Sequence, residues 1–341
     1  MKICVVGAGA IGGLMGARLA LSDNEVTLID QGSHLEAIKN NGLKLIWADG
    51  TEYLAKDAKA TNSFEEAGPQ DLVILAIKAH TIASVAAKVP ALFGPETMVM
   101  TVQNGLPWWY FQKHGGEFHG RRLESLDPDG VIEANIEADR IIGSVAYPAA
   151  AVTAPGVIQH VEGDRFPVGE LDNSESERLQ RVHDAIVEAG LRSRVLTSIR
   201  SEIWLKAWGN LSFNPISALS HATLVDMCEF PETCKLAEYM MREAAEIAGK
   251  LGIEFRHTIE RRIEGARGVG AHKTSMLQDV EAGRALEVEA LVGSVIEMGR
   301  LTGTPCPHID AVYACVRLLD RTMAKEGARV AVEKIAVDKA A

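Results

Sequence analysis

The stretch "KICVVGAGAIGG", residues 2–13, runs from the apolar tetrapeptide Ile3–Val6 straight into glycines spaced Gly7-x-Gly9-x-x-Gly12. A short apolar run closed by glycine reads as a buried strand, and "IGGLMGARLALS" (11–22) reads as the helix behind it. In such a strand–turn–helix each glycine has its own task. The first permits a tight turn, the second lets a pyrophosphate approach the backbone, and the third lets helix and strand pack closely. Phosphates then sit at the helix N-terminus, where unpaired N–H groups and the dipole favour negative charge. Gly7, Gly9 and Gly12, with Ala8, Ala10 and Ile11 between them, are therefore expected to cradle a dinucleotide.

Working outward, "EVTLID" (25–30) is a second strand that ends in Asp30. A carboxylate there accepts hydrogen bonds from the adenosine ribose and repels a 2′-phosphate, which favours NAD(H) and leaves NADP(H) as the alternative. Gln31 and Gly32 bring no cation, and the nearest basic residue onward is Lys39. The plainer reading of Asp30 is a cap for the following helix, "HLEAIKNNG" (34–42), which Gly42 ends. Strand signals recur at "DLVILAIK" (71–78) and "TMVMTVQNG" (97–105), with a helix at "TIASVAAKV" (81–89). Strands alternating with helices imply an α/β fold, a Rossmann-type doubly wound parallel sheet. Lys78 and Asn104 sit just past strand ends, the edge where ligands bind in open α/β sheets. An exposed strand end and an Asn-Gly turn are the simpler readings of those two. Short strands at 140–147, 156–163 and 165–171 are expected to extend the sheet on one side, followed by a helix at 175–190 and a last strand at 192–197.

From Ser198 the strand signal stops, and helices are expected at 199–219, 231–250, 273–282, 285–302 and 308–325. This divides the chain into a dinucleotide-binding domain (1–197), an all-helical C-terminal substrate and catalytic domain (198–325) and a tail (326–341). Within "SEIWLKAWGNLSFNPIS" (201–217), Lys206, Asn210 and Asn214 follow one another every four residues and so share one helix face. Pro215 disfavours helical backbone at Asn214 and predicts a helix end or kink there. "HKTSMLQDVEAGRALEVEALVG" (272–293) places Ser275 near a helix start and Glu287 on the next helical stretch. A lysine in apolar surroundings has a lowered pKa and can donate or accept a proton near neutrality, and a carboxylate beside it would hold it charged and oriented. Taken singly, Lys206 could snorkel to water and Glu287 could be an ordinary surface acid.

Composition bounds the rest. A chain of 341 residues, 47% hydrophobic and 24% charged, is globular and long enough for two domains. No apolar run approaches the ~18 residues that a membrane helix needs. No membrane role and a cytoplasmic location are expected. A net charge of −11 disfavours binding to nucleic acid or an anionic membrane, and the basic pairs Arg121-Arg122 and Arg261-Arg262 are short. The five cysteines form an odd set without CxxC spacing, as reduced thiols would, and no metal site is expected. The segment "PWWYFQKHGGEFHGRRLESLDPDG" (107–130) is long, aromatic and punctuated by glycine, a composition expected of a functional or mobile loop.

The motifs "GAGAIGG" (7–13), "AIKAH" (76–80), "VQNG" (102–105), "IWLKAWGNLSFNPISAL" (203–219) and "HKTSMLQDVEAGRALEVEAL" (272–291) together resemble the ketopantoate reductase (2-dehydropantoate 2-reductase) family over nearly the whole chain. The resemblance implies a Rossmann domain joined to a helical domain, with a small 2-oxo or 2-hydroxy acid bound in the cleft between them. By position, Lys206 matches the family's general acid/base and Glu287 the acid that hydrogen-bonds the substrate hydroxyl. Asn210, Asn214 and Ser275 match substrate-binding positions, Asn104 lies where nicotinamide and substrate meet, and Lys78 matches a lysine beside the cofactor. The sequence departs from the family pattern at three places. Gln31 stands where many members carry the arginine that binds the 2′-phosphate of NADP, and Thr223-Leu224 stands where some carry a further asparagine. The aromatic segment 107–130 is also longer than in compact members. Two other functions compete. One is an NAD-dependent dehydrogenase of a bulkier or catabolic 2-hydroxy acid, with Trp108, Trp109 and Tyr110 as an aromatic wall, unless that run is a packing patch or a homodimer contact. The other is a non-catalytic dinucleotide sensor, which would have no need of Lys206 and Glu287.

Overall fold

The computed structural model describes residues 1–332, so the expected tail falls outside the described residues from 333 on. The chain divides into two compact units, Met1–Ile203 and a second that begins at Trp204.

The first unit is built on a seven-stranded sheet. Its parallel centre contains β1 (Lys2–Val6), β2 (Glu25–Ile29), β5 (Lys59–Thr61), β6 (Gln70–Leu75), β7 (Phe93–Thr101) and β8 (Ile141–Ser144), with β11 (Val168–Glu170) antiparallel at one edge. The order across the sheet is β11-β8-β7-β6-β1-β2-β5, so β1 lies between its crossover partners β2 and β6. Strands covered on both faces read as unbroken apolar runs, and Ile3, Cys4, Val5 and Val6 are all buried. Cys4 lies inside this layer, where burial pushes its thiol up to about 12. The helices of this unit are α1 (Ala10–Ala20), α2 (Gly32–Asn41), α3 (Phe64–Ala67), α4 (Ile82–Ala86), α5 (Val131–Asn135) and α6 (Glu177–Glu188). The core joins Leu14 and Leu19 of α1 to Ile3, Val5, Leu28 and Ile74 of the sheet and to Leu179, Val182 and Ile186 of α6.

A second, four-stranded sheet departs from the sequence reading. β3 (Leu43–Ile46), β4 (Glu52–Ala55), β9 (Ala149–Ala154) and β10 (Val157–Glu162) pair in the order β4-β3-β10-β9. The 156–163 strand therefore does not extend the main sheet. It pairs in parallel with β3, and Ile158 reaches back against α1, where a Cβ at Gly13 would lie 2.7 Å from its side chain. Residues 192–197 are not a strand either, making only isolated bridges from Arg192 to Arg165 and from Val195 to Val168. The helix expected at 81–89 is broken into α4 between two 3-10 turns, because Pro90 cannot continue a helical ladder.

Next comes α7 (Ile199–Ser220), within which the two units divide. It runs unbroken through Pro215, so Asn214 is helical and ends nothing. The flanking residues Leu211 to Ala218 are all buried, and their packing outweighs the hydrogen bond that proline removes. The second unit continues with α8 (Leu224–Glu229), α9 (Pro231–Lys250), α10 (Ile259–Val269), α11 (Ser275–Ala282), a π-turn (Glu289–Gly293), α12 (Ser294–Leu301) and α13 (Pro307–Glu326). Its core is the buried face of α9, Ala237, Met240, Met241, Ala244 and Ile247. Trp208 of α7 docks there, its indole N–H donating to the Met241 carbonyl at 2.7 Å while its ring stacks on Phe255. α8 and α10 were not visible in the sequence. Thr223 is the N-cap of α8 and forms a capping box with Asp226.

Candidate active site

The first unit gathers its candidates along one sheet edge. Val6 pairs with Ile29 and Leu75, and Leu75 with Thr101, so four adjacent parallel strands end in a single row. Gly7, Asp30, Lys78 and Asn104 all follow that row, at the carboxyl edge where the fold binds ligands. Gly7 has φ +94°, and a Cβ on it would lie 2.5 Å from the Ile77 side chain. A Cβ on Gly12 would overlap the Gly7 carbonyl oxygen and lie 2.7 Å from the Ala76 methyl. Protein packing thus demands the first and third glycines. At Gly9 a Cβ would meet nothing within 4 Å, so protein packing does not demand glycine there and the turn leaves open space beside it. α1 begins at this point with no side-chain cap and no acid in its first turn, which leaves its positive end to an anion. These residues fit a dinucleotide pyrophosphate.

Asp30 accepts two main-chain N–H groups at 2.7 Å, from Ala8 in the glycine turn and from Gln31. Gln31 itself is exposed, and Lys39 is turned to Glu36 along α2 at 3.9 Å. Lys78 is partly buried at the start of a 3-10 turn, its carbonyl accepting the Thr81 N–H at 2.9 Å and the Thr81 hydroxyl at 2.7 Å. Asn104 is partly buried in the bend after β7, and Gln103 ties that bend to β6 by donating to the Leu75 carbonyl at 2.6 Å.

The second unit gathers the acid–base and amide candidates. Lys206 is flanked on α7 by buried Trp204, Leu205, Ala207 and Trp208. Desolvation lowers its pKa to about 8, and the Glu287 carboxylate partly opposes that fall. Glu287 precedes the helical turn that passes into the π-turn, and its carbonyl accepts the Leu291 N–H at 3.1 Å. Asn214, buried one turn beyond Asn210, donates through its amide to the Ser275 hydroxyl at 3.3 Å. Ser275 opens α11 and is held there by Thr274, whose hydroxyl accepts the Leu277 N–H at 3.2 Å. Residues distant in the sequence are thus brought together: Lys206 with Glu287, and, not expected from the sequence, Asn214 with Ser275. Asn210 is partly buried on the same helix face.

Of the readings left open for the aromatic run, the packing patch is the one its burial supports. Trp109, Tyr110 and Phe111 are fully buried and Trp108 is 6% exposed, so they supply neither an aromatic wall nor a dimer contact. Trp109 donates to the Thr101 hydroxyl at 3.1 Å. Arg200 lies against Trp109 and Tyr110 and donates to the carbonyls of Tyr110, Gln112 and Leu171. Burial lowers the pKa of this guanidinium to about 10. Neither Arg200 nor His34, which hydrogen-bonds within the glycine turn, stood out in the sequence. The one available signal for His34 was a histidine four residues after the acid that ends the second strand.

With these geometries in place, similarity to known proteins is informative. The ketopantoate reductase PanE/ApbA family model matches residues 3–173, and the model of the family's C-terminal part matches 198–320. A 2-dehydropantoate 2-reductase of Mesorhizobium japonicum is 50% identical over 320 residues, covering 94% of this chain and 98% of that protein. A solved candidate ketopantoate reductase of Ralstonia solanacearum MolK2 superposes with a TM-score of 0.90 at 38% identity, covering 94% of this chain and 98% of that one. A D-mandelate dehydrogenase solved with NADH and anilino(oxo)acetate shares the fold, with a TM-score of 0.81 at 23% identity over 95% of this chain and 99% of that one. A Rossmann-type unit followed by a helical unit, and family models that span both, agree: the chain belongs to the ketopantoate reductase family.

Proposed function

We propose that the protein is an oxidoreductase of the 2-dehydropantoate 2-reductase type, interconverting a 2-oxo acid and its 2-hydroxy acid. The observation that carries this reading is Lys206, set among buried Trp204, Leu205, Ala207 and Trp208 with the Glu287 carboxylate acting on it, so that burial lowers its pKa to about 8 and Glu287 opposes the fall. A nicotinamide dinucleotide, held by the glycine turn, would supply the hydride for C2. Lys206 then delivers an Nζ proton to the C2 oxygen, and in the oxidising direction its neutral amine takes the hydroxyl proton. Glu287 keeps that ammonium available and accepts a hydrogen bond from the substrate hydroxyl. Asn210, Asn214 and Ser275 offer amide and hydroxyl donors to the carboxylate, and holding the acid in one orientation contributes to rate. Asn104 and Lys78 belong with the glycine turn to the cofactor cradle. In this reading residues 1–197 bind the dinucleotide and 198–325 bind the acid. A non-catalytic sensor has no use for a desolvated lysine held beside a carboxylate, and interior tryptophans remove the feature that favoured a bulkier substrate.

Replacing Lys206 by Ala is expected to lower kcat with 2-dehydropantoate, the substrate named for the Mesorhizobium relative, by ~100-fold or more. Near-normal turnover in a folded Lys206→Ala protein would remove the acid–base assignment. A second expectation is preference for NADH. Asp30 accepts two main-chain N–H groups, and a carboxylate has about four acceptor positions, so capacity remains for ribose hydroxyls. Its charge also repels a 2′-phosphate, and Gln31 cannot neutralise one. Comparing kcat/KM for the two cofactors with one accepted acid tests this, and a clear NADPH preference overturns it.

A further inference from the structure

Ala8 lies between the first two glycines of the turn, and Asp30 of the β2–α2 connection and His34 of the first turn of α2 grip it from both ends. Its N–H donates to Asp30 Oδ2 at 2.7 Å, and its carbonyl oxygen lies 2.9 Å from His34 Nε2. The other ring nitrogen of His34, Nδ1, lies 3.0 Å from the Gly156 N–H nitrogen. A main-chain carbonyl can only accept and a main-chain N–H can only donate. The tautomer is thereby fixed, with Nδ1 bare and the proton on Nε2. Gly156 is itself held firmly in the β9–β10 turn. It has φ +73°, its carbonyl accepts the Lys44 N–H at 2.9 Å, and a Cβ on it would press on the Ala37 methyl at 3.1 Å. The imidazole thus spans two fixed main-chain groups, one in the second sheet and one in the glycine turn.

Across a trans peptide, the carbonyl of one residue and the N–H of the next point in opposite directions. Holding the Ala8 carbonyl therefore fixes the direction in which Gly9 presents its N–H. Gly9 is the glycine that protein packing does not require, a Cβ there meeting nothing within 4 Å. We propose that His34 is a positioning residue for cofactor binding: by donating to the Ala8 carbonyl, it aims the Gly9 N–H at the pyrophosphate of the dinucleotide. This rests on the dinucleotide reading above. The second sheet then has a function beyond packing, since its β9–β10 turn sets the tautomer that makes His34 a donor.

The test uses the full-length protein, with dissociation constants for NADH and NADPH measured by calorimetry and for adenosine, which has no phosphate, by competition. In His34→Gln the amide N–H reaches the Nε2 position and keeps the bond to Ala8. In His34→Asn the side chain reaches only the Nδ1 position and loses it. The Asn variant is expected to bind the dinucleotide about tenfold more weakly, the scale of one hydrogen bond, with adenosine changed less than about twofold. The Gln variant is expected to stay within about threefold of the parent for both. Equal losses in the two variants, no loss in either, or equal weakening of adenosine and dinucleotide would overturn the proposal. Nitrogen-15 spectra of the unsubstituted protein give a readout independent of variant folding. His34 must appear as the Nε2–H tautomer, and its resonance must respond to the dinucleotide more than to adenosine, with the opposite tautomer or equal responses counting against the proposal. If the unsubstituted protein binds neither dinucleotide, the functional reading itself falls, a result distinct from any difference among variants.

Discussion

Lys206 carries its chemistry because of what surrounds it. The apolar stretch of α7 strips water from the ammonium, and the pKa falls from 10.5 to about 8, with Glu287 resisting the fall. The sign of the pH dependence follows. Reduction needs the protonated lysine, so its kcat/KM is expected to be level below about pH 8 and to fall about tenfold per unit above it. Oxidation needs the neutral amine and is expected to rise up to the same point and then level off. Profiles in both directions check this, and a reduction profile still level two units higher would remove Lys206 as the proton donor. The polar stripe of α7 was legible in the sequence because its spacing is local, and so was Asp30 at the end of a strand. His34 and Arg200 were not, because their partners are main-chain groups far along the chain. Gly156 lies 122 residues from His34, and Tyr110 lies 90 from Arg200. No side-chain motif marks such contacts.

At the scale of elements, the glycine turn separates demands of packing from demands of the ligand. Gly12→Ala would drive a methyl into the Gly7 carbonyl and against the Ala76 methyl, forcing α1 away from β1. A loss of about 1–3 kcal/mol in stability is expected, the usual scale of overpacking, read from denaturant melts. Gly9→Ala meets no protein atom within 4 Å and is expected to melt like the parent while its dinucleotide affinity falls about tenfold or more. Equal melting by the two variants would mean that the turn is looser than described. The first βαβ unit was readable because strand, turn and helix are contiguous. The second sheet was hidden because it is assembled from short strands far apart, Val157–Gln159 pairing with Lys44–Ile46. α10, "IERRIEGARGV", has only Ile263 and Ala266 buried, too thin an apolar stripe to stand out. At Pro215 the local preference against helix is overruled by burial on both sides, so the expected helix end does not occur.

At the scale of the whole molecule, each unit has an apolar core of its own, and the division falls inside α7 at Ile203–Trp204 rather than at the change of sequence pattern near Ser198. Periodicity marks where strands cease, while compactness depends on which side chains pack together, and the first turn of α7 packs with the first unit. Arg200 shows this by binding the carbonyls of Tyr110, Gln112 and Leu171. The placement of the cysteines turns this division into something that can be timed. Cys4 is buried in the first unit and Cys228 and Cys306 in the second, with thiols pushed up to about 12, about 11 and about 11, while Cys315 is exposed. A thiol reagent reaches Cys315 in the native state, Cys234 is partly exposed, and Cys4, Cys228 and Cys306 are reached only when their surroundings open. The order in which mass spectrometry finds them labelled therefore tells whether the two halves come apart as one cooperative body or in succession, with no substitution required.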